Sequence, residues 1–547
     1  MSEDDDDPRE NPRINTKFTR NISGEAEMQM KFDWYKVLGS CLVIHAMFLE
    51  VTVYQVLVIA SLITLSAWFV QFHWRRRKLY RAGYQRKGPL ALPFIGSALY
   101  FAGSTKDILQ SVISIVNEYE PPVPVWIGNR LNICIVDPKD MEIILNHPHS
   151  IGKDLVYRFS NSTVGTGIFT APVEKWKRNR KLINPAFNQK ILDGFVEVFA
   201  EQASVLADQL KREVGRGIFD VFDYASRCAV DIICETEMGV SVNAQVSDSE
   251  YLKWANRAMH IMFKRMFNIA LSFDFIFKWH PLAKDLEEVN GKIHKFTGGV
   301  VRQKREAHRR RLREGYVDGA PRRNNLLQQL IELSEDGETF TDEELRMEVD
   351  TFMMAGSDTT ASVSSYILLM LAMFPDVQEK VYEEVMDVLG PDRPCDVKDL
   401  GRFVYLERVM RETMRLFPPG SVFGRNVTGD IQLEKCMVPA GSTVLCVIFA
   451  LHRNPDIYPD PLRFDPDRFA PEAKSKRHSY SWLPFSAGPR NCIGIKYALM
   501  VLKVLIATVV RRYRFSSDYT DISKIDFKVD VTLKPIMGHR VAVELRE

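Results

Sequence analysis

Apolar residues are concentrated in one long stretch near the start of the chain. Residues 51–70 read VTVYQVLVIASLITLSAWFV and contain no charged side chain. About 20 consecutive apolar residues are needed for a helix to cross a bilayer. The pattern therefore predicts a membrane span over 51–70, inside an anchor over 37–72. A buried core helix is the alternative interpretation, and the charges that flank the stretch argue against it.

The charges on the two sides of this stretch differ in sign. The chain opens MSEDDDD, whereas HWRRRK follows the span at 73–78. Basic flanks stay on the cytosolic side of a membrane. We therefore expect an acidic tail over 1–36 that lies across the membrane and a basic, Pro/Gly-rich linker over 73–96. The remaining residues, 97–547, are predicted to form one cytosolic catalytic domain.

A second apolar segment, residues 341–373, has the features of a long helix. Thr341 and Glu344 form a capping-box pattern at its start, and Pro375 follows its end. Its middle, residues 356–360, reads GSDTT, and these residues are poor or mediocre helix formers. We expect a locally loosened turn in which an acid beside an alcohol passes protons to a bound group. A kinked core helix with satisfied hydroxyls is the alternative.

Glu412 and Arg415 lie three residues apart on a predicted helix, so they share one face. Such pairs are common on exposed helices and contribute little there. Further along, residues 454–469 read NPDIYPDPLRFDPDRF, a composition that predicts an irregular meander. Arg468 in this meander could reach the Glu412/Arg415 pair and fix the segment in place.

The composition excludes several classes of function. The chain is 46% hydrophobic and 26% charged with a net charge of +2, so it lacks the basic surface typical of nucleic-acid binding. Its eight cysteines form no CxxC pair and no histidine cluster accompanies them, which argues against a zinc site. So few, irregularly spaced cysteines indicate a reduced, cytosol-facing chain in which most of them are core residues.

Cys492 differs from the other cysteines in its neighbours, FSAGPRNCIG at 485–494. Gly488 allows a tight turn and Gly494 leaves room for a flat group to lie close. Arg490 offers a cation to a carboxylate, and the apolar helix that follows directs its positive end at the sulfur. The loop therefore suits a thiolate that holds a planar, acidic cofactor. Haem meets this description, and a cysteine ligand favours O–O cleavage.

The sequence resembles the cytochrome P-450 superfamily over residues 87 to the C-terminus. The pattern F-x-x-G-x-R-x-C-x-G is carried here by Phe485, Gly488, Arg490, Cys492 and Gly494. Residues 355–360, AGSDTT, are similar to the oxygen-activation motif of the family. Further similarities are the E-x-x-R pair Glu412 and Arg415, the meander arginine Arg468, the W-x-x-x-R pair Trp176 and Arg180, and Arg425 after Pro418.

This resemblance implies a mostly α fold with a small β-rich lobe, preceded by one transmembrane helix, with haem b held by Cys492. It implies haem contacts from Trp176, Arg180, Arg425, Phe485, Gly488, Arg490 and Gly494, proton relay by Asp358 and Thr359, and structural roles for Glu412, Arg415 and Arg468. By analogy of position, the substrate pocket is expected to include Phe169, Phe352, Met353, Val422, Phe423 and Thr532.

Within the superfamily the chain is most similar to the family-4-like microsomal branch, on the stretches NPAFNQKILDGF (184–195) and DIICETEMG (231–239). That branch often has a glutamate before the glycine of the distal motif, where it can esterify haem. This chain has Ala355 there, so we expect haem with no covalent link to the polypeptide other than the Fe–S bond.

The resemblance implies a monooxygenase of the endoplasmic reticulum membrane that oxidises a small apolar substrate: a lipid, fatty acid, steroid, terpenoid or xenobiotic. The expected electron donor is an NADPH–cytochrome reductase, with cytochrome b5 as a further donor, and membrane lipid is an expected contact. Two alternatives remain. One is a haem-thiolate isomerase or dehydratase that needs no reductase, and the other is a catalytically silent haem-binding protein.

Overall fold

The structure is a computed structural model that describes residues 19–268, 270–314, 325–334 and 339–546, with the backbone alone for 19–27 and 31–32. The first part of the acidic tail, residues 1–18, lies outside the described residues. The chain divides into two compact units with a boundary between Lys78 and Leu79. Each unit is described separately below.

The first unit is dominated by one long helix, α1 (Thr19–Arg75). It contains the predicted anchor, 37–72, and begins within the predicted tail. Its large apolar side chains, Leu57, Ile63 and Trp68 among them, are exposed over their whole length. Within the described residues, the part of α1 from Met28 to Arg75 is long and apolar enough to cross a membrane.

The second unit is mostly helical. Its helices, beginning with one that spans the unit boundary, are α2 (Arg77–Tyr84), α3 (Thr105–Glu118), α4 (Pro138–Asn146), α5 (Asn161–Val164), α6 (Val173–Ile183), α7 (Gln189–Asp193), α8 (Val196–Leu210), α9 (Phe222–Ile233), α10 (Glu250–Phe267), α11 (Asp274–Trp279), α12 (Pro281–Arg313), α13 (Leu326–Leu333), α14 (Asp342–Met373), α15 (Pro375–Leu389), α16 (Val404–Leu416), α17 (Ile448–Leu451), α18 (Pro471–Lys474) and α19 (Ile495–Arg512).

The strands form small sheets beside the helices. They are β1 (Val123–Ile127), β2 (Arg130–Ile135), β3 (Phe219–Asp220), β4 (Val422–Asn426), β5 (Ile431–Gln432), β6 (Met437–Val438), β7 (Thr443–Val447), β8 (Tyr513–Ser516), β9 (Phe527–Asp530), β10 (Thr532–Pro535) and β11 (Arg540–Leu545). One sheet has the order β1-β2-β7-β4 and is antiparallel except between β2 and β7. β9 and β10 form a hairpin, and β11 pairs with β3 and β8.

Helix α14 runs through the main apolar core and packs against α9, α12 and α19. The predicted capping box is confirmed, because the Thr341 side chain accepts from the Glu344 N–H and the Glu344 side chain accepts from the Thr341 N–H. Pro375 is the first residue of α15, so α14 ends where predicted.

The expected loosened turn in α14 is not observed, since the helix runs without interruption through residues 355–360. Ser357 and Thr359 donate to the carbonyls of Met353 and Ala355 at 2.6 and 2.7 Å. Gly356 has a packing reason: a Cβ there would lie 2.6 Å from Cδ1 of Ile233 on α9. The glycine permits close helix contact, and the hydroxyls are satisfied without breaking the helix.

Part of the predicted linker, 73–96, belongs to the second unit. Leu79 and Gly83 of α2 are buried, and a Cβ on Gly88 would lie 2.3 Å from the Pro124 carbonyl oxygen. The Pro/Gly-rich residues thus pack on the first sheet, because glycine allows the backbone to approach closely there.

Candidate active site

The loop before α19 places Cys492 by backbone hydrogen bonds. The Cys492 N–H donates to the Phe485 carbonyl at 3.0 Å, and the Asn491 N–H donates to the Gly488 carbonyl. Gly488 has a φ of +72°, and a Cβ on it would lie 2.0 Å from the Leu145 carbonyl oxygen. Both the conformation and the close approach require glycine here.

The Cys492 side chain is exposed, yet its sulfur is enclosed by protein. Burial raises the pKa of the Cys492 thiol, while a hydrogen bond from the Gly494 backbone, then Arg180 and Lys153, act to lower it. Gly494 is also the N-cap of α19, so the positive end of that helix begins beside the sulfur. This is a thiol that faces an internal opening with donors and cations around it.

Two arginines attach this loop to the rest of the domain. Arg490 donates to the carbonyls of Ile151 and Ala171 at 3.1 and 2.6 Å, and its guanidinium lies 5.1 Å from the Trp176 ring centroid. Its Nε is buried and has no hydrogen-bond partner among the described residues. Arg180 donates to the backbone and side-chain oxygens of Asn491 at 2.7 and 2.8 Å.

Sequence reasoning missed a further cation, Lys153. Its Nζ lies 3.4 Å from the Phe169 ring centroid and 4.7 Å from that of Tyr157. Its backbone forms a β-bridge with Arg425, one of the predicted haem contacts. Burial lowers the pKa of Lys153 far below its ordinary value, and the charges of Arg425 and Arg490 lower it further. No local pattern marks this lysine, since a tertiary bridge brings it here.

These cations lack a compensating carboxylate. Burial and then the charge of Arg425 lower the pKa of Arg490 to about 10, and burial lowers that of Arg425. No carboxylate is among the groups that shift the pKa of Lys153, Arg425 or Arg490 within the described chain. Buried cations are stable only when paired, so this cluster suits a ligand with two negative groups.

Helix α6 connects the Cys492 loop to α14. Asn179 donates to Oε1 of Glu348 on α14 at 2.7 Å, while its neighbour Arg180 binds Asn491 in the loop. Glu348 also accepts from the Ile168 N–H at 2.8 Å, and burial raises its pKa to about 7. We call the space bounded by the Cys492 loop, α6 and α14 the central hollow.

On α14, Ala355 is exposed and Thr359 is half-buried, whereas Asp358 is buried. Asp358 Oδ2 accepts from the Thr532 hydroxyl at 2.9 Å, and Oδ1 accepts from Lys534 Nζ at 3.1 Å. The predicted acid and alcohol are thus adjacent in sequence but face different surroundings. Thr532, predicted to line the substrate pocket, uses its hydroxyl to bind Asp358.

The three predicted structural residues meet in the interior. Arg415 binds Glu412 through two hydrogen bonds of 2.7 Å, and neither side chain is accessible. Arg468 Nε lies 3.5 Å from Glu412 Oε1. Arg415 also donates to the carbonyls of His452 and Pro461, so it fixes the meander as well as the helix.

The remaining predicted pocket residues are distributed unevenly. Phe169 contacts Lys153, Phe352 packs on Phe187 with ring centroids 5.6 Å apart, and Val422 and Phe423 are half-buried on β4. Met353 lies in the core with its Sδ 3.7 Å from the Cys234 Sγ. Because residues two and six positions from Met353 along the helix, Ala355 and Thr359, lie on another face, Met353 does not share their surroundings.

Comparison with known proteins identifies the family. The family model described as Cytochrome P450 matches residues 87–540. The chain belongs to the cytochrome P450 family. It is 35% identical to cytochrome P450 4c21 of Blattella germanica over 91% of this chain and all of that protein. It is 35% identical to cytochrome P450 4c3 of Drosophila melanogaster, over 90% and 95% of the two chains.

The similarity extends to vertebrate proteins of the same branch. Cytochrome P450 4V2 of Homo sapiens is 34% identical over 83% of this chain and 89% of that protein. The predicted family-4-like assignment is confirmed by these relatives. As a cytochrome P450 monooxygenase, the protein uses haem b with a cysteine thiolate on the iron. The thiol, the uncompensated cations and the close-packed glycine loop fit this cofactor.

Proposed function

We propose that this protein is a membrane-anchored monooxygenase in which Cys492 is the thiolate ligand of haem and apolar molecules are the substrates. The observation that carries the proposal is the central hollow itself. The exposed Cys492 sulfur lies on one side with its own set of cations. The exposed Ala355 and the half-buried Thr359 lie on the helix that α6 ties to that loop.

The proposed reaction consumes one substrate molecule, O2, two electrons and two protons, and yields a hydroxylated product and water. The bound haem supplies the activation of O2. The chain supplies positioning: Arg180, Arg425, Arg490 and Lys153 hold the carboxylates of the cofactor, together with Trp176. The Gly494 N–H and the start of α19 stabilise negative charge on the Cys492 sulfur.

We assign proton handling to Asp358 and Thr359. The Thr359 hydroxyl bonds only to its own helix, at the Ala355 carbonyl, so its remaining lone pair and its half-exposed position leave it able to bind a proton-carrying ligand. Asp358 follows on the hairpin side. Phe169, Phe352, Val422 and Phe423 supply apolar surface that excludes water from the substrate. With alanine at 355, haem stays extractable by acid and solvent.

We further propose a four-part chain: tail 1–36, anchor 37–72, linker 73–96 and catalytic domain 97–547. The apolar surface of α1 supports the anchor, and the basic residues after it support an endoplasmic reticulum location with a cytosolic domain. An NADPH–cytochrome reductase, with cytochrome b5 as a further donor, would dock on the Cys492 side. Exposed Lys177 and Lys181 of α6 and Lys496 of α19 supply positive charge there.

Reconstitution in vesicles tests this function. We expect oxidation of members of an apolar substrate panel only when NADPH, O2 and a reductase are all present. Cys492→Ser should abolish that turnover and the thiolate-type absorption of the reduced CO complex. The matched control is Cys436→Ser, because Cys436 is half-buried in a separate part of the second unit. Hydroperoxide rearrangement without NADPH would favour the isomerase alternative, and an unchanged Cys492→Ser spectrum would overturn the ligand assignment.

A further inference from the structure

The C-terminal hairpin β9–β10 binds the acid of the distal helix. Both Asp358 carboxylate oxygens accept from this hairpin, one from Thr532 at 2.9 Å and the other from Lys534 at 3.1 Å. A third contact joins the same two elements, because the Ser362 hydroxyl donates to the Leu533 carbonyl at 3.3 Å. The orientation of Asp358 is therefore set by the hairpin.

Lys534 lies between the buried acid and solvent. The Asp358 side chain is 5% exposed, whereas that of Lys534 is 19% exposed. Lys534 Nζ is also 4.3 Å from the ring centroid of Phe222 on α9. Attraction between an ammonium and an aromatic face restricts the lysine to this position. Its nitrogen thus touches the carboxylate on one side and remains accessible to water.

The other titratable groups around this pair are His539, Asp220 and Tyr366. The His539 ring packs on Phe222 and on Tyr366, and Asp220 lies 3.8 Å from His539 Nδ1. Burial lowers the pKa of His539 and raises that of Tyr366. Both groups are therefore neutral near pH 7, and Lys534 supplies the positive charge in contact with Asp358.

We propose that Lys534 is a positioning residue that fixes the Asp358 carboxylate and connects it to solvent, so that the hairpin controls proton supply to the central hollow. This rests on the proton-handling role proposed for Asp358. The two protons used per turnover come from water. Each enters through Nζ, passes to Asp358 Oδ1 and leaves toward Thr359, and Nζ then takes up another proton, so the pair is unchanged.

Substitution of Lys534 tests the proposal in the reconstituted holoenzyme. We expect Lys534→Met to lower the product formed per NADPH by about tenfold, with peroxide released instead, and to increase the solvent isotope effect on product formation. Lys534→Arg should retain most of the coupling because it keeps the charge. Lys528→Met is the matched control, since Lys528 lies directly across the hairpin from Lys534; its coupling should stay normal.

A double-mutant cycle gives a readout that does not depend on turnover. Asp358→Asn and Lys534→Met should each lower the thermal midpoint, and the double variant should be shifted by clearly less than the sum of the two. Additive shifts would overturn the contact. The reduced-CO spectrum should stay normal in all variants, which shows that haem binding is intact.

The outcomes separate this inference from the proposed function. If Asp358→Asn uncouples turnover and Lys534→Met does not, the role of Lys534 is wrong and the proton role of Asp358 stands. If Asp358→Asn itself remains fully coupled, the proton role fails and the inference fails with it. Uncoupling by Lys528→Met as strong as by Lys534→Met would show that overall charge on the hairpin, and not the contact, is what matters.

Discussion

The Cys492 side of the central hollow and the α14 side are held in different ways. On the Cys492 side, Arg415 and Glu412 form a wholly inaccessible pair that also binds the meander backbone. On the α14 side, Asp358 is held by a lysine that reaches solvent. A metal ligand must keep one position, whereas a proton path must exchange with water. The two kinds of contact match these two requirements.

Breaking the inaccessible pair should have the largest effect on this contrast. Arg415→Met leaves Glu412 as a buried, uncompensated carboxylate and removes donors from the carbonyls of His452 and Pro461. Loss of one partner of a buried pair costs about 3–5 kcal/mol. We expect that loss in the free energy of unfolding, measured by denaturant titration, with a matching loss of bound haem.

The control for this experiment is Arg408→Met. Arg408 pairs with Asp467 near the same meander, but the Asp467 side chain is 65% exposed. Exposed pairs contribute about 0–1 kcal/mol, so this variant should remain close to the parent protein. Equal destabilisation by the two substitutions would contradict the importance given to burial.

Acid should weaken the Cys492 side through His452. Its Nδ1–H donates to the Arg415 carbonyl and its Nε2 accepts from the Leu483 N–H. Burial, and then the charge of Arg415, lowers the pKa of His452 from 6.5 to about 3. The unfolded chain therefore takes up a proton below about pH 6.5 that the folded protein does not. Stability is complete above that pH and falls on acidification, by about 2 kcal/mol at about pH 5.

The measurement is the free energy of unfolding at about pH 7 and about pH 5 for the parent and for His452→Gln. The variant starts less stable, but it should lose about 2 kcal/mol less between the two pH values. An identical pH dependence would show that His452 does not titrate as described. Glu348 on the α14 side acts in the opposite direction: burial raises its pKa to about 7, so its contribution is lost as pH rises from 4.5 through 7.

The smallest effect on stability is expected for Thr359→Ala. Its hydroxyl bonds only to the Ala355 carbonyl one turn earlier, and such a bond contributes about 1 kcal/mol or less. Product per NADPH should nevertheless fall and peroxide should rise, because the proton acceptor is removed. Ser357→Ala removes the same kind of bond, to Met353 in the core, and should remain coupled. Full coupling in Thr359→Ala would contradict the relay.

Local patterns were sufficient for features that depend on neighbouring residues. The capping box at Thr341 and Glu344, and the end of α14 before Pro375, require only a few residues of sequence. The same reasoning was wrong about the turn at residues 355–360. There, Gly356 serves contact with Ile233 of another helix, and no property of the α14 sequence reveals that neighbour.

Contacts between distant segments could not be predicted in this way. Lys153 enters the cation cluster through a bridge to Arg425, 272 residues later, and Lys534 reaches Asp358 across 176 residues. Each is an isolated lysine in sequence, and an isolated lysine is usually a solvated one. His452 was likewise invisible until the fold placed it between Arg415 and Leu483.

The bonds of Arg415 have a consequence for biosynthesis. Its guanidinium binds carbonyls 37 and 46 residues further along the chain, and Glu412 accepts from a backbone N–H 53 residues further along. When α16 leaves the ribosome, this pair has no acceptors or donors to enclose it and must stay hydrated. The wall around the sulfur can therefore close only after the meander has been synthesised, which makes loading of the cofactor a late event in the life of the nascent chain.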